Sequence, residues 1–256
     1  GHRGHIGGNE LVSPILYGNN GRKQLAHVLE ILSDLDCEVN VSCGIHVHHD
    51  VTNIMVKEEK VAAKFLNNLI KFVTKFEHII YRLVTPSRLN RGWCLPARHI
   101  FANMVITRED DNGRPKTTLQ AIAKRVFKQV KDGVKYKYER TGAGVGSSFS
   151  PNFQASRYCG LNLKNIWTRG SVEFRYMQGS LNFEKIWSWV VLTQAIINVV
   201  EKANSVSFQN VSGTDGGFFY FKKAIGFIGN KNRDADTRFA NKVLSKRFKE
   251  LSNPFN

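Results

Sequence analysis

The chain has 256 residues, 42% of them hydrophobic and 23% charged, enough apolar side chain for one substantial core. Its 37 Lys and Arg against 21 Asp and Glu give a formal charge of +16, a field that attracts nucleotides, polyphosphates, nucleic acids and acidic protein surfaces without choosing among them. No run of about 18 apolar residues occurs, so no membrane-spanning helix and no membrane partner are expected.

Residues 1–8 hold no apolar stretch of the kind a secretory signal needs, and a first residue other than Met points to a cropped start. Glu10 to Leu16 reads as a short strand stopped by Gly18. Leu25, Val28, Leu29, Leu32 and Leu35 then recur at helical spacing over Gln24 to Leu35. Val39 to Val51 alternates β-branched with small and polar residues, as a strand with two chemically different faces does. From Lys57 to Leu83, Val61, Phe65, Leu69, Val73, Phe76 and Ile80 form the apolar stripe of a long helix that ends before Pro86.

Thr85 to Ala102 reads as irregular, Lys116 to Val130 as a basic helix, and Gly142 to Ser150 as a mobile Gly/Ser loop without the lysine of a phosphate-binding loop. Strands are expected at Tyr158 to Leu163 and Ser171 to Met177, and an apolar helix from Phe183 to about Lys202, with Trp187 in the core. After Ser205, Phe218 to Phe221 suits a strand or packed turn, and Asp234 to Leu251 a closing helix. Lys57, Lys60, Lys64, Lys71 and Lys75, then Lys124, Arg125, Lys128 and Lys131, and finally Lys242, Lys246, Arg247 and Lys249 read as solvated basic faces. With no repeat and no clear linker, an α+β architecture is the economical expectation.

Cys37, Cys43, Cys94 and Cys159 lack CxxC spacing, which argues against a zinc ribbon and a dense disulfide framework and suits reduced thiols in the cytoplasm. Cys43 and Cys159 read as small buried residues.

Two patterns carry chemistry. The two-residue period of a strand puts His46, His48 and Asp50 on one face and Val47 and His49 on the other. Imidazoles so spaced share a metal or phosphate site, or sit hydrogen-bonded in a polar cleft. The same alternation puts Glu173 and Arg175 on one face with Phe174 opposite. A carboxylate there holds Mg2+ and an arginine clamps a transferring phosphoryl group, or the two form an ordinary strand ion pair. Glu10 is a third strand carboxylate. Arg88 and Arg91 fall in a loop open either to an anionic substrate or to solvent.

In this order, the segments ELVSPIL (Glu10 to Leu16), CGIHVHHD (Cys43 to Asp50), SRYCGLNL (Ser156 to Leu163) and SVEFRYMQGSLN (Ser171 to Asn182) resemble the amidoligase family over roughly Glu10 to Val200. That resemblance implies a fold like glutamine synthetase and glutamate-cysteine ligase: a curved antiparallel sheet backed by helices, binding ATP and two or more Mg2+ or Mn2+ ions. A strand of the form G-x-H-x-H falls on Gly44 to His48, and one of the form E-x-R on Glu173 to Arg175. By resemblance, Glu10, His46 and Glu173 are metal ligands, and Glu173, Arg175 and His48 are catalytic. His48, Arg88 and Arg175 are nucleotide or substrate contacts, and Arg157 and Asn162 are either such contacts or structural hydrogen-bonding residues.

The implied reaction phosphorylates a carboxylate with ATP and passes the acyl group to an amine, so the implied partners are ATP, a carboxylate-bearing and an amine-bearing substrate, peptide or protein included. Residues 1–204 would form the ligase-like domain, and 205–256 an extension packed on it. Ligases of this fold begin on a strand with a Glu-x-Glu pair, and no carboxylate precedes Glu10, so a missing first strand is expected. The alternatives are a nucleic-acid or polyanion-binding protein, suggested by the charge, and a ligase scaffold without turnover.

Overall fold

A computed structural model describes residues 10–89, 94–98, 101, 119, 122–123, 126 and 159–252. Three strands form one antiparallel sheet in the order β1 (Gly44–Asp50), β3 (Ser171–Gln178), β2 (Leu161–Asn162). Seven helices are described along the chain: α1 (Gly18–Asp34), α2 (Thr52–Met55), α3 (Glu59–Arg82), α4 (Ile166–Arg169), α5 (Phe183–Lys202), α6 (Asp215–Ala224) and α7 (Ala235–Ser252).

The central strand β3 is buried along most of its length, and its period of two sorts its side chains by chemistry. Val172, Phe174 and Tyr176 supply the apolar side toward the helices, and Glu173 and Arg175 take the other face. On β1, Val47 and His49 point toward the helices in the same way, His49 reaching Thr193 and Gln194 of α5. Behind the sheet α3 packs against α5, α7 closes over both, and α6 packs on α3.

The ladder between β1 and β3 is irregular at one point. Ile45 pairs Met177 but Val47 pairs Phe174, so His46 faces two residues, Arg175 and Tyr176. Arg88, in the 3-10 turn Pro86–Arg88, engages the carbonyls of both: its Nε donates to Tyr176 O at 3.2 Å and its Nη2 to Arg175 O at 2.7 Å. A bulge leaves main-chain acceptors without ladder partners, and a guanidinium with five donors is suited to take them.

Local chemistry sets the helix ends. Asn182 caps α5 by accepting from Lys185 N at 2.9 Å, and Thr214 caps α6 by accepting from Gly217 N at 3.2 Å. Gly217 is required there, since a Cβ would stand 2.1 Å from Ser212 O. Gly170, at φ +68, closes α4 in the left-handed region and turns the chain into β3.

Several sequence expectations change. Glu10 to Leu16 makes no strand: Leu11, Val12 and Ile15 are 66%, 76% and 70% exposed, because β-branched residues favour an extended chain but a strand needs a neighbour's hydrogen bonds. Phe218 to Phe221 lies in helix α6, with Phe218 and Phe221 turned into the core. Trp187 is only half-buried, its Nε1 donating to Asp236 at 3.0 Å, and Trp189 is the core tryptophan. Lys75 and Arg247 are not on solvated faces but are 5% and 8% exposed. Cys43 is half-buried, and Cys159 is fully buried.

Of the helix expected at Lys116 to Val130, Leu119, Ile122, Ala123 and Val126 are helical, the last three buried; its basic residues, like the loop Gly142 to Ser150, lie outside the described residues. Among the described residues no helix is long and apolar enough to cross a membrane.

A carboxylate anchors the back of β3. Glu77 of α3, fully buried, accepts from Tyr176 Oη at 2.9 Å, Ala97 N at 2.5 Å, and Arg98 N and Nε at 3.3 and 3.0 Å. Glu77→Ala strands these donors and is expected to cost about 3 kcal/mol or more. Tyr176→Phe removes one donor to a charged acceptor and should cost about 2 kcal/mol. Urea unfolding midpoints at constant slope check both; a Glu77→Ala chain as stable as wild type would contradict the anchor.

Candidate active site

The open face of β3 gathers its polar groups around Glu173, which is 3% exposed. One carboxylate oxygen, Oε1, accepts from Arg175 Nη1 at 2.7 Å and has His46 Nδ1 at 3.3 Å and His48 Nε2 at 3.7 Å. The other, Oε2, accepts from Asn162 Nδ2 at 2.6 Å and Asn165 Nδ2 at 2.8 Å. His48 is steered by Ser171, whose Oγ lies 3.1 Å from Nδ1. The carboxylate forms the floor, and the imidazoles, 26% and 35% exposed in their side chains, form the wall that meets solvent.

Each member is placed by a different piece of chain. His46 and His48 share the open face of β1, with His48 directly opposite Glu173 in the ladder. Asn162 pairs Glu173 from β2, and Asn165 comes from the turn before α4. Arg88 comes up beside His46: a Cβ on Gly44 would stand 3.2 Å from its Nη2 and 3.4 Å from His46 Nε2. Gly44 therefore lets the guanidinium and the imidazole approach across the strand.

Burial and charge keep both imidazoles neutral at pH 7. Loss of hydration lowers His46 from 6.5 to about 4, the Arg175 charge adding to it, while Glu173 and Glu10 oppose. Burial also lowers His48, with Glu173 opposing and Arg169 and Arg175 reinforcing. The contacts of His46 and His48 with Glu173 are thus polar contacts of neutral rings, and a neutral ring nitrogen is the form that ligates a metal.

Strand alternation put His46 with His48 and Glu173 with Arg175, and the structure brings these four together with Asn162. Asp50 separates from them: it is exposed, and its Oδ1 accepts from Thr52 N at 2.8 Å, starting α2. Glu10 is exposed and near enough to raise the affinity of both imidazoles for a proton, without an ion pair to either. Arg88 sits in a turn rather than a solvated loop, 3% exposed, on main-chain carbonyls. Arg157 and Arg91 lie outside the described residues. Sequence reasoning missed Asn165, Ser171 and Arg169. Asn165, three residues after Asn162 and across the Gly170 turn from Glu173, carried a signal in its spacing, whereas nothing local marked Ser171.

Among the described residues no group of three or more His, Cys, Asp or Glu is arranged to hold a metal ion by itself. In the contact shell of Glu173 the resident cation is the Arg175 guanidinium, whose Nη1 is also 3.4 Å from His46 Nδ1. Comparison with known proteins gives one finding: a family model described as "Putative amidoligase enzyme" matches residues 3–197. Neither the curated proteins nor the solved structures contain a match.

On the helix side, His49 is 7% exposed between Thr193 Oγ1 at 2.8 Å and Gln194 Oε1 at 3.0 Å, and burial lowers it from 6.5 to about 4. Between those values the unfolded chain binds the proton and the folded chain does not, so stability is full above pH 6.5 and falls as pH drops toward 4. A loss of about 2 to 3 kcal/mol is expected across that range from this group. His49→Gln should flatten the slope of urea midpoint against pH; an unchanged slope would contradict the assignment.

Proposed function

The chain belongs to the family of amidoligase enzymes, and on that premise we propose that it joins a carboxylate to an amine using ATP, through an acyl phosphate, on a scaffold like that of glutamine synthetase. The observation that carries this reading is the constellation on the open face: a buried carboxylate, a guanidinium and two neutral imidazoles, facing solvent on one side.

The donor set suits Mg2+ or Mn2+ arriving with a nucleotide. Mg2+ is commonly held by one or two carboxylates together with substrate phosphates and water rather than by an all-protein cage. Glu173 and His46 are the residues that would hold it, with Glu10 toward a second ion; the bound ion would screen the phosphate charges as the phosphoryl group moves. Two amides fix Glu173 through Oε2, so a divalent ion would meet Oε1, the oxygen that Arg175 Nη1 now holds at 2.7 Å.

The remaining chemistry falls to the chain's own groups. Arg175, beside Glu173, offsets charge on the phosphoryl group during transfer to the substrate carboxylate. His48, neutral and pinned by Ser171, meets a phosphate oxygen as a hydrogen-bond donor from Nε2. Attack of the amine on the acyl phosphate forms the amide and releases phosphate, and the proton lost by the amine passes to solvent or to a neutral imidazole. Asn162 orients Glu173 and stays on the floor, whereas Arg88 keeps the bulge that aims Arg175. The family match ends at residue 197, which supports residues 1–204 as the ligase domain with the rest packed on it. Four free thiols support a reducing, cytoplasmic setting.

Calorimetric titration with a non-hydrolysable ATP analogue tests the reading. Binding is expected to require Mg2+ in the wild type and to weaken at least tenfold, roughly 1.4 kcal/mol, in His46→Ala and in Glu173→Ala. Nucleotide binding indifferent to both substitutions and to Mg2+, in variants that keep the wild-type circular dichroism, would refute it.

A further inference from the structure

Lys75 is the most unusual charged residue away from the open face. The helical stripe of Lys57, Lys60, Lys64 and Lys71 leads directly to it, but the segment after α5 and helix α6 cover this end of α3, leaving Lys75 5% exposed. Val211 N donates to Lys75 O at 2.9 Å, which fixes that cover in place.

The ammonium lies at the wall of a pocket of about 180 Å3 between α3, the end of α5 and α6, lined also by Phe72, Phe76, Val199, Val200 and Tyr220. Its partners are all uncharged. Nζ donates to Ser207 Oγ at 3.0 Å and to Tyr220 Oη at 3.3 Å, and sits 5.1 Å from the Tyr220 ring centre and 5.6 Å from that of Phe76. Among the described residues the ammonium has no third acceptor, and those lining the pocket include no acid.

A buried ammonium is costly unless an anion or a full set of acceptors replaces its water. Hydroxyls and aromatic faces supply part of that replacement. Apart from Ser205, the other side chains that line the pocket are hydrocarbon, and an apolar cavity of about 150 Å3 is large enough to take benzene.

We propose that this pocket is a binding site for a small organic carboxylate with an apolar body about the size of one ring. The carboxylate would pair with Lys75 Nζ and the hydroxyls of Ser207 and Tyr220, and the body would lie against Phe72, Phe76 and Val199. The site is on the helical side of the molecule, opposite the face that bears Glu173, and does not depend on the ligase reading.

Titration of the full chain with benzoate, and with benzamide as its uncharged counterpart of the same shape, followed by amide chemical shifts, tests the proposal. Saturable benzoate binding is expected, with shifts centred on residues 205–211 and α6 and at least tenfold weaker binding of benzamide. Lys75→Met, which keeps the length and apolar stem of the side chain, should lose benzoate by a similar factor. Equal affinity for the two ligands, shifts centred on the Glu173 strand, or no saturation at millimolar benzoate would each overturn it. The two ligands are compared on the wild type, so benzoate against benzamide decides the matter even if Lys75→Met fails to fold.

Discussion

A carboxylate withdrawn from water is stable only where donors replace its hydration, and Glu173, 3% exposed, has them on both oxygens. That requirement organises the open face of the sheet. Strand β2 is only two residues long, too short for its ladder alone to place it firmly, yet Asn162 binds it to the carboxylate at 2.6 Å. Asn165 draws the turn before α4 onto the same oxygen, and Gly170 returns the chain in time for β3 to present Glu173 to both. The residues that satisfy the charge are therefore the residues that position the strands.

The two faces of β3 divide the work. Toward the helices, Phe174 meets the His49 ring edge-on, Tyr176 packs against Tyr81 of α3, and the hydroxyl of Tyr176 ends on a second buried carboxylate, Glu77. Toward the open face, Glu173 and Arg175 meet His46 and His48, whose rings reach solvent. The irregular pairing at His46 exposes the carbonyls of Arg175 and Tyr176, and the Arg88 guanidinium takes both. The backbone that carries Arg175 is held by a second arginine, so the guanidinium of the first can be directed without its strand shifting. Desolvation and the nearby cations keep His46 and His48 neutral, which suits them to accept a cation rather than repel one.

How much of this was legible in the sequence follows from the range of the forces involved. Alternation is local, so His46 with His48 and Glu173 with Arg175 were found on shared faces, and the apolar run located α5 from Phe183 to Lys202. Asp50 kept the right parity but serves α2 instead, because a carboxylate two residues before a helical N–H is captured by it. Glu10 to Leu16 had strand-like composition and found no strand partner, a matter of tertiary pairing that composition does not encode. Lys75, Arg88 and Arg247 read as solvated because the chain that covers them is remote: residues 205–220, β3 and the end of α3 respectively. Buried basic residues with main-chain or hydroxyl partners leave no periodic trace.

The central claim is that a nucleotide and its divalent ion meet on the open face of β3. Paramagnetic Mn2+, added with a non-hydrolysable ATP analogue to protein labelled in its histidine rings, tests it most directly, since broadening falls steeply with distance from the ion. The account predicts that the His46 and His48 resonances broaden first and only when the analogue is present, while His49, buried on the helix side, and the exposed His27 persist to higher Mn2+. Broadening that begins at His27, or that is indifferent to the nucleotide, would contradict it.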